Sequence, residues 1–225
     1  MLGGGHLVGY LVSGNDAAEF SQAVADYEKE RASVGTLFYC VGDGNHSLAT
    51  AKTCYEDLKT RLPPEEGQDH PARYAMVELG NIRDKSLAFE PIHRLVVGKN
   101  PETVLSQLAK TAGALEGQRI TWVAGQKTGE IILDRKFGVL PVAALQSALD
   151  DCLPEVGAEL DYIHGEASLR KLAQEDNRLG FLLTAIAKED FFTGVALGGV
   201  FPRKTFSMGE ATDKRYYTEA RRIVR

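Results

Sequence analysis

The sequence predicts an α+β protein, a mixed sheet with helices packed on it. Three observations carry this. Short runs rich in Val, Ile, Leu, Tyr and Phe recur along the chain. Amphipathic segments with apolar residues three and four apart lie between them. The connections come in two lengths, hairpin-short and crossover-long, which argues against a regular doubly wound fold.

Composition narrows the class further. The chain has 225 residues, enough for one sizeable core or two small ones. We read it as one α+β unit over 1–225, with residues 99–101 as the point at which it would subdivide. A formal charge of -5 gives no general footprint for nucleic acid or an anionic membrane. No apolar run approaches a membrane span, and no signal peptide is evident. Cys40, Cys54 and Cys152 are odd in number, far apart and free of any Cys-x-x-Cys pair. Neither a disulfide framework nor a cysteine zinc site is supported, and reduced thiols in the cytoplasm are the simplest expectation.

The elements follow in order. After the Gly3–Gly5 run, residues Leu7 to Val12 alternate as a strand does. Asn15 or Asp16 can cap a helix through about Ala32, with Phe20, Ala23, Val24 and Tyr27 on one face. Thr36 to Val41 forms a second strand leading into Gly42–Ser47. A helix then runs from about Ser47 to Leu62, its apolar face carried by Leu48, Ala51, Tyr55, Leu58 and Leu62. Pro63 to Asp69 is a surface loop. Arg73 to Ile82 reads as a buried strand and Ile92 to Val97 as another. Pro101 to Ala112 is a helix with proline in its first turn. Arg119–Ala124 and Glu130–Asp134 form a hairpin that turns at Gln126–Gly129. Pro141 to Leu153 is a helix through Val142, Leu145, Leu149 and Cys152. The last third reads as strand Leu160–Ile163, helix Glu166–Glu175, strand Leu179–Ile186 and helix Lys188–Ala196. A basic loop or edge strand, Phe201–Gly209, and a charged helical segment, Lys214–Arg225, complete the chain.

Chemistry concentrates in a few stretches. At Gly42-Asp43-Gly44-Asn45-His46-Ser47 a strand turns into a helix. Backbone N–H groups at a helix start favour an anion, and glycine lets the backbone approach a phosphate. Asp43 could deprotonate a hydroxyl or hold magnesium, and His46 and Ser47 could touch phosphate oxygens. The plain alternative is a turn with an ordinary helix cap. No Gly-Lys-Ser/Thr end is present, so this is not a P-loop. His93 and Arg94 are adjacent strand residues and face opposite ways, so one of them could reach a site. His164 ends a short strand. The five histidines show no i,i+4 pair, which speaks against a zinc motif. Arg203 and Lys204, followed by Thr205 and Ser207, suit phosphate contacts, or else protect an edge strand.

Five stretches together resemble a known family. They are Gly3-Gly-Gly-His-Leu-Val-Gly-Tyr10, Gly42-Asp-Gly-Asn-His-Ser-Leu-Ala-Thr-Ala51, Phe89-Glu-Pro-Ile-His-Arg94, Asp161-Tyr-Ile-His-Gly-Glu166 and Pro202-Arg-Lys-Thr-Phe-Ser-Met-Gly209. The chain resembles the C-terminal part of the domain-of-unknown-function family numbered 1015, whose members carry extra length before the glycine-rich stretch. Many members have Asp-Gly-His-His-Arg at the turn, similar to the motif of ParB-like proteins, which include free serine kinases. The resemblance implies a ParB-like element around residues 36–62, with Asp43 and His46 in catalytic positions. Gly42, Gly44, Asn45 and Ser47 would then line nucleotide phosphates, aided by Arg203, Lys204, Thr205 and Ser207. His93, Arg94 and His164 are the substrate-side candidates.

This chain departs from the motif, with Asn45 for the first histidine and Ser47 for the arginine. The loss of that arginine removes a bidentate phosphate contact. The leading expectation is a nucleotide-dependent phosphotransferase acting on a small hydroxylated metabolite, using ATP or ADP with magnesium at Asp43. The alternative is a regulatory module that binds a nucleotide or other anion without chemistry. Neither a nucleic acid nor a membrane partner is expected. Self-association is expected if a missing N-terminal part normally covers an apolar face.

Overall fold

The computed structural model describes residues 6–32, 37–110, 117–209 and 222–223. The glycine run Gly3–Gly5 and nearly all of the expected Lys214–Arg225 helix lie outside them. The chain divides into two compact units, residues 1–84 with 211–225, and residues 85–210. Residues 99–101 therefore fall inside the second unit.

Unit one is helical among the described residues. Helix α1 spans Gly14–Ala32, α2 spans Asn45–Lys59 and the short α3 spans Pro64–Gln68, followed by a single 3₁₀ turn at Pro71–Arg73. The expected loop at 63–69 thus contains a helix, started by Pro64 at its first position. Tyr55 is the buried side chain of α2, and its hydroxyl donates to the Gly67 carbonyl at 2.9 Å, tying α2 to α3. His70 accepts the Ala72 N–H on Nδ1 at 3.2 Å and so caps the 3₁₀ turn.

Three expected strands are corrected here. Among the described residues, 7–12, 37–41 and 74–82 are not strands and join no ladder. Tyr74, Met76, Val77 and Leu79, expected to be buried, are exposed. β-propensity describes how a side chain fits a pleated surface between neighbours, and without a neighbour it yields no strand.

Unit two holds the sheet. Its elements are β1 (Phe89–Val97), α4 (Pro101–Lys110), β2 (Gly117–Ala124), β3 (Lys127–Asp134), α5 (Pro141–Val156) and β4 (Glu159–His164). They continue as α6 (Glu166–Leu172), β5 (Arg178–Leu182), α7 (Lys188–Gly198) and β6 (Phe206–Met208). The strand order is β3-β2-β5-β1-β4, with β6 paired to Phe89–Pro91 at the start of β1. The α+β class holds, and every ladder among the described residues is antiparallel.

The hairpin β2–β3 closes on Ala124 and Lys127, so its turn is Gly125–Gln126 rather than Gln126–Gly129. Gly125 takes φ 56°, a conformation that favours glycine. Gly129 serves another purpose. It lies opposite Trp122, and a Cβ there would meet the indole ring at 2.6 Å.

Alternation along β1 separates two cores. Val96 joins Leu108, Leu145, Leu149 and Phe181 on the side covered by α4 and α5. Leu95 joins Val123, Leu169 and Ala173 on the side covered by α6. Helix α5 begins with Pro141 in its first turn and ends on Gly157 at φ 66°, whose N–H bonds the Leu153 carbonyl. An aromatic group fixes α7 and β6, with Phe89 stacked on Phe206 at 4.7 Å and Phe191 edge-on to Phe206 at 5.6 Å.

Candidate functional site

The candidates fall into two groups, one in each unit, and each is described within its own unit. In unit one, Gly44 adopts φ 78° and starts α2. A left-handed residue immediately before a helix suits glycine, which has no Cβ to clash. The Gly44 N–H donates to Asp43 Oδ1 at 2.9 Å, and the Gly44 carbonyl accepts the Leu48 N–H at 2.9 Å. No side chain caps the helix. The N–H groups of Asn45, His46 and Ser47 therefore form the first turn, where the helix itself provides no acceptors. Gly42, Asp43, Asn45, His46 and Ser47 are all exposed. No strand enters this turn among the described residues, which corrects the expected strand–turn–helix context.

A groove of about 590 Å³ runs from Asn45 along α2, past Leu48, Lys52 and Tyr55, to Arg73 and Tyr74. It places two aromatic rings and two cations on the same cleft as the start of α2. Arg73 is partly committed, since its Nη1 donates to the Gln68 carbonyl at 2.8 Å.

In unit two the organising residue is Arg94. It is fully buried, with 0% of its surface exposed, and among the described residues no carboxylate forms a salt bridge with it. Its Nε donates to Gln146 Oε1 at 2.9 Å, and its Nη1 to the carbonyls of Ile92 at 2.7 Å and Lys204 at 3.0 Å. Its Nη2 reaches the Arg203 carbonyl at 3.4 Å, and its guanidinium carbon lies 4.6 Å from the Tyr162 ring centroid. Burial pushes its pKa down to about 10, opposed by the charges of Tyr162 and Asp150.

Arg94 thus holds the 202–205 loop in place. Lys204 is left at φ 56° with its side chain exposed. Arg203 is exposed and donates from Nε to the Tyr162 hydroxyl at 3.2 Å. Thr205 is buried and donates to the Pro202 carbonyl, and Ser207 donates to the Gly209 carbonyl at 3.1 Å.

His93 faces away from Arg94, as alternation requires. It is 3% exposed and accepts the Leu183 N–H on Nδ1 at 3.1 Å, so its proton sits on Nε2. Burial lowers its pKa, opposed by Glu166 and reinforced by His164 and Arg94. His164 is half-buried and lies opposite Ile92 across the β1–β4 ladder.

The structure therefore gathers Asp43 to Ser47 in unit one, and Arg94, Arg203 and Lys204 in unit two. Three members of the unit-two group were not anticipated from the sequence, namely Tyr162, Gln146 and Asp150. Gln146 gave a signal, being a polar residue between Leu145 and Leu149 on the buried side of α5.

A family model described as protein of unknown function (DUF1015) matches residues 16–186, most of the chain. The chain belongs to this family. No curated protein matches this DUF1015 member. Among solved structures it is similar to a free serine kinase mutant in complex with ADP, with 18% identity and a TM-score of 0.43 over 59% of this chain and 58% of that one. A conserved hypothetical protein from Pyrococcus furiosus gives 16% identity and a TM-score of 0.42, over 60% of this chain and 61% of that one. The DUF1015 chain thus spans about three-fifths of the length of each. Among the described residues no helix is long and apolar enough to cross a membrane.

Proposed function

We propose that this protein binds the phosphates of a nucleotide at the start of α2 and transfers a phosphoryl group to a small hydroxylated metabolite. One observation carries the reading. Helix α2 opens on a left-handed Gly44 with no side-chain cap, beside the exposed carboxylate of Asp43. The donors for phosphate are the N–H groups of Asn45, His46 and Ser47, since that of Gly44 is already given to Asp43. Asp43 takes the base role toward the metabolite hydroxyl, and His46 and Ser47 touch phosphate oxygens. The groove along α2 receives the rest of the nucleotide, with Lys52 as its cation and Tyr74 as its aromatic surface.

Magnesium fits this site only as a companion of the nucleotide. Among the described residues no cluster of three or more His, Cys, Asp or Glu could hold a metal. Magnesium often binds through one or two carboxylates together with substrate phosphates, and Asp43 would be that carboxylate.

A second reading is a module that binds a nucleotide or other anion without chemistry. Asn45 and Ser47 favour it, because they stand where related motifs have a histidine and an arginine. A thermal-shift titration with ATP, ADP, CTP and phosphate, with and without magnesium, on the wild type and Asp43→Ala tests both readings. A nucleotide-specific shift that the substitution alters, together with release of ADP in the presence of a hydroxylated metabolite, supports transfer. A shift without turnover supports the module. No shift with any of these ligands overturns the site.

A further inference from the structure

Unit two carries a second cleft that the α2 reading does not use. It measures about 410 Å³ and lies between α5 and the loop at 200–203. Small-molecule sites commonly measure roughly 300–1,000 Å³. Asp150 and Asp151 line it from the helix, Arg203 and Pro202 from the loop, and Gln146 and Ser147 add neutral polar groups.

Opposite charges therefore share one small cleft, yet no ion pair within 4.0 Å joins Arg203 to either aspartate. Asp150 and Arg203 are each held back by another bond. Asp150 Oδ1 accepts from Gln146 Nε2 at 2.8 Å, and Gln146 is itself gripped by Arg94. Arg203 is drawn to Tyr162, by the hydrogen bond from its Nε and by its guanidinium standing 5.8 Å from the ring centroid. Its backbone carbonyl also accepts from Arg94. One buried guanidinium thus fixes both walls. An exposed ion pair yields at most about 1 kcal/mol, which is too little to pull such anchored groups together.

What remains available is specific. Asp150 keeps its Oδ2 and Arg203 its two terminal nitrogens, with Asp151 beside them. An anion alone would meet two carboxylates, and a cation alone would meet Arg203. A molecule carrying both signs a few bonds apart satisfies both walls, with its carboxylate taken by the planar guanidinium in a two-point contact.

We infer that this cleft binds an α-amino-acid zwitterion, with its carboxylate on Arg203 and its ammonium on Asp150 and Asp151. The inference uses unit two alone and stands whether or not the α2 turn binds a nucleotide.

The test screens the twenty L-α-amino acids one at a time against the full chain by saturation-transfer NMR, then titrates the strongest. Its N-acetylated and carboxyl-amidated forms are compared, and so are Arg203→Gln, Asp150→Asn and Asp151→Asn. The expected result is saturable binding that weakens at least tenfold when either end is blocked. Arg203→Gln should bind the acid and its amide equally well, a loss of discrimination that mere destabilisation would not produce. All three variants change exposed side chains, and their melting temperatures identify any that fold poorly. The inference is overturned if no amino acid saturates in the millimolar range. It is equally overturned if the blocked forms bind as well as the free one, or if well-folded variants bind like the wild type.

Discussion

The guanidinium of Arg94 lies 4.6 Å from the Tyr162 ring centroid, across the β1–β4 ladder that pairs the two residues directly. This contact and the hydrogen bonds around it make a buried cation the fastening of a surface loop. Truncating it would remove the Arg94 donors from Gln146 Oε1 and the carbonyls of Ile92 and Lys204, at a cost of roughly 1–3 kcal/mol for each buried acceptor left unpaired, offset in part by no longer burying a charge. Arg94→Met should therefore lower stability by about 2–3 kcal/mol in urea titrations. Amide exchange at 202–206 should accelerate more than exchange in the core strands.

His93 should give the fold an acid-sensitive component. Its pKa in the folded protein is below the ordinary 6.5, mainly through burial. Between those two values the unfolded chain binds a proton that the folded chain does not, so stability rises with pH. The contribution is fully present above pH 6.5 and is lost as pH falls through the lowered folded value. His93→Asn keeps an acceptor for the Leu183 N–H and does not titrate. Its melting temperature should fall less than that of the wild type between neutral pH and about pH 5. Parallel curves for the two proteins would contradict this.

Gly44 should resist any side chain. At φ 78° an alanine is strained by about 1–2 kcal/mol, whereas asparagine enters this region more readily. Gly44→Ala should destabilise unit one more than Gly44→Asn does. Far-UV circular dichroism is the suitable readout, because the single tryptophan, Trp122, reports on unit two.

Gly180 should be equally intolerant, for a packing reason. A Cβ there would stand 2.9 Å from Val123 Cγ2 and 3.0 Å from Leu169 Cγ, between the sheet and α6. Gly180→Ala should cost roughly 1–3 kcal/mol through overpacking. Pairing it with Leu169→Ala should recover part of that loss in the chemical-denaturation midpoint.

Helices were more legible in the sequence than strands. Helix α5 announces itself through Pro141 in the first turn and Val142, Leu145 and Leu149 on one side, and α4 does so through Pro101, Val104 and Leu108. Such signals are local. A strand depends on a neighbour that the local sequence does not name, and so Leu7–Val12 and Tyr74–Leu79 look like strands but join no ladder among the described residues. The hairpin is legible in the sequence but the position of its turn is not, because Gly125 and Gly129 look alike there and only the fold puts Trp122 in the space beside Gly129. At the candidate sites, the residues around Asp43 are contiguous and could be read directly. The burial of Arg94 could not, since its partners Gln146, Tyr162 and Lys204 come from three distant elements.

Strand β6 reaches back to the first residues of β1, so that Met208 lies opposite Phe89. During synthesis this pairing must wait until almost all of unit two has left the ribosome. Until then Phe89 lacks the ring of Phe206, and Arg94 lacks the carbonyl of Lys204. The nascent chain passes through an interval in which its sheet is largely formed but one end stays open, and a chaperone would meet it in that state.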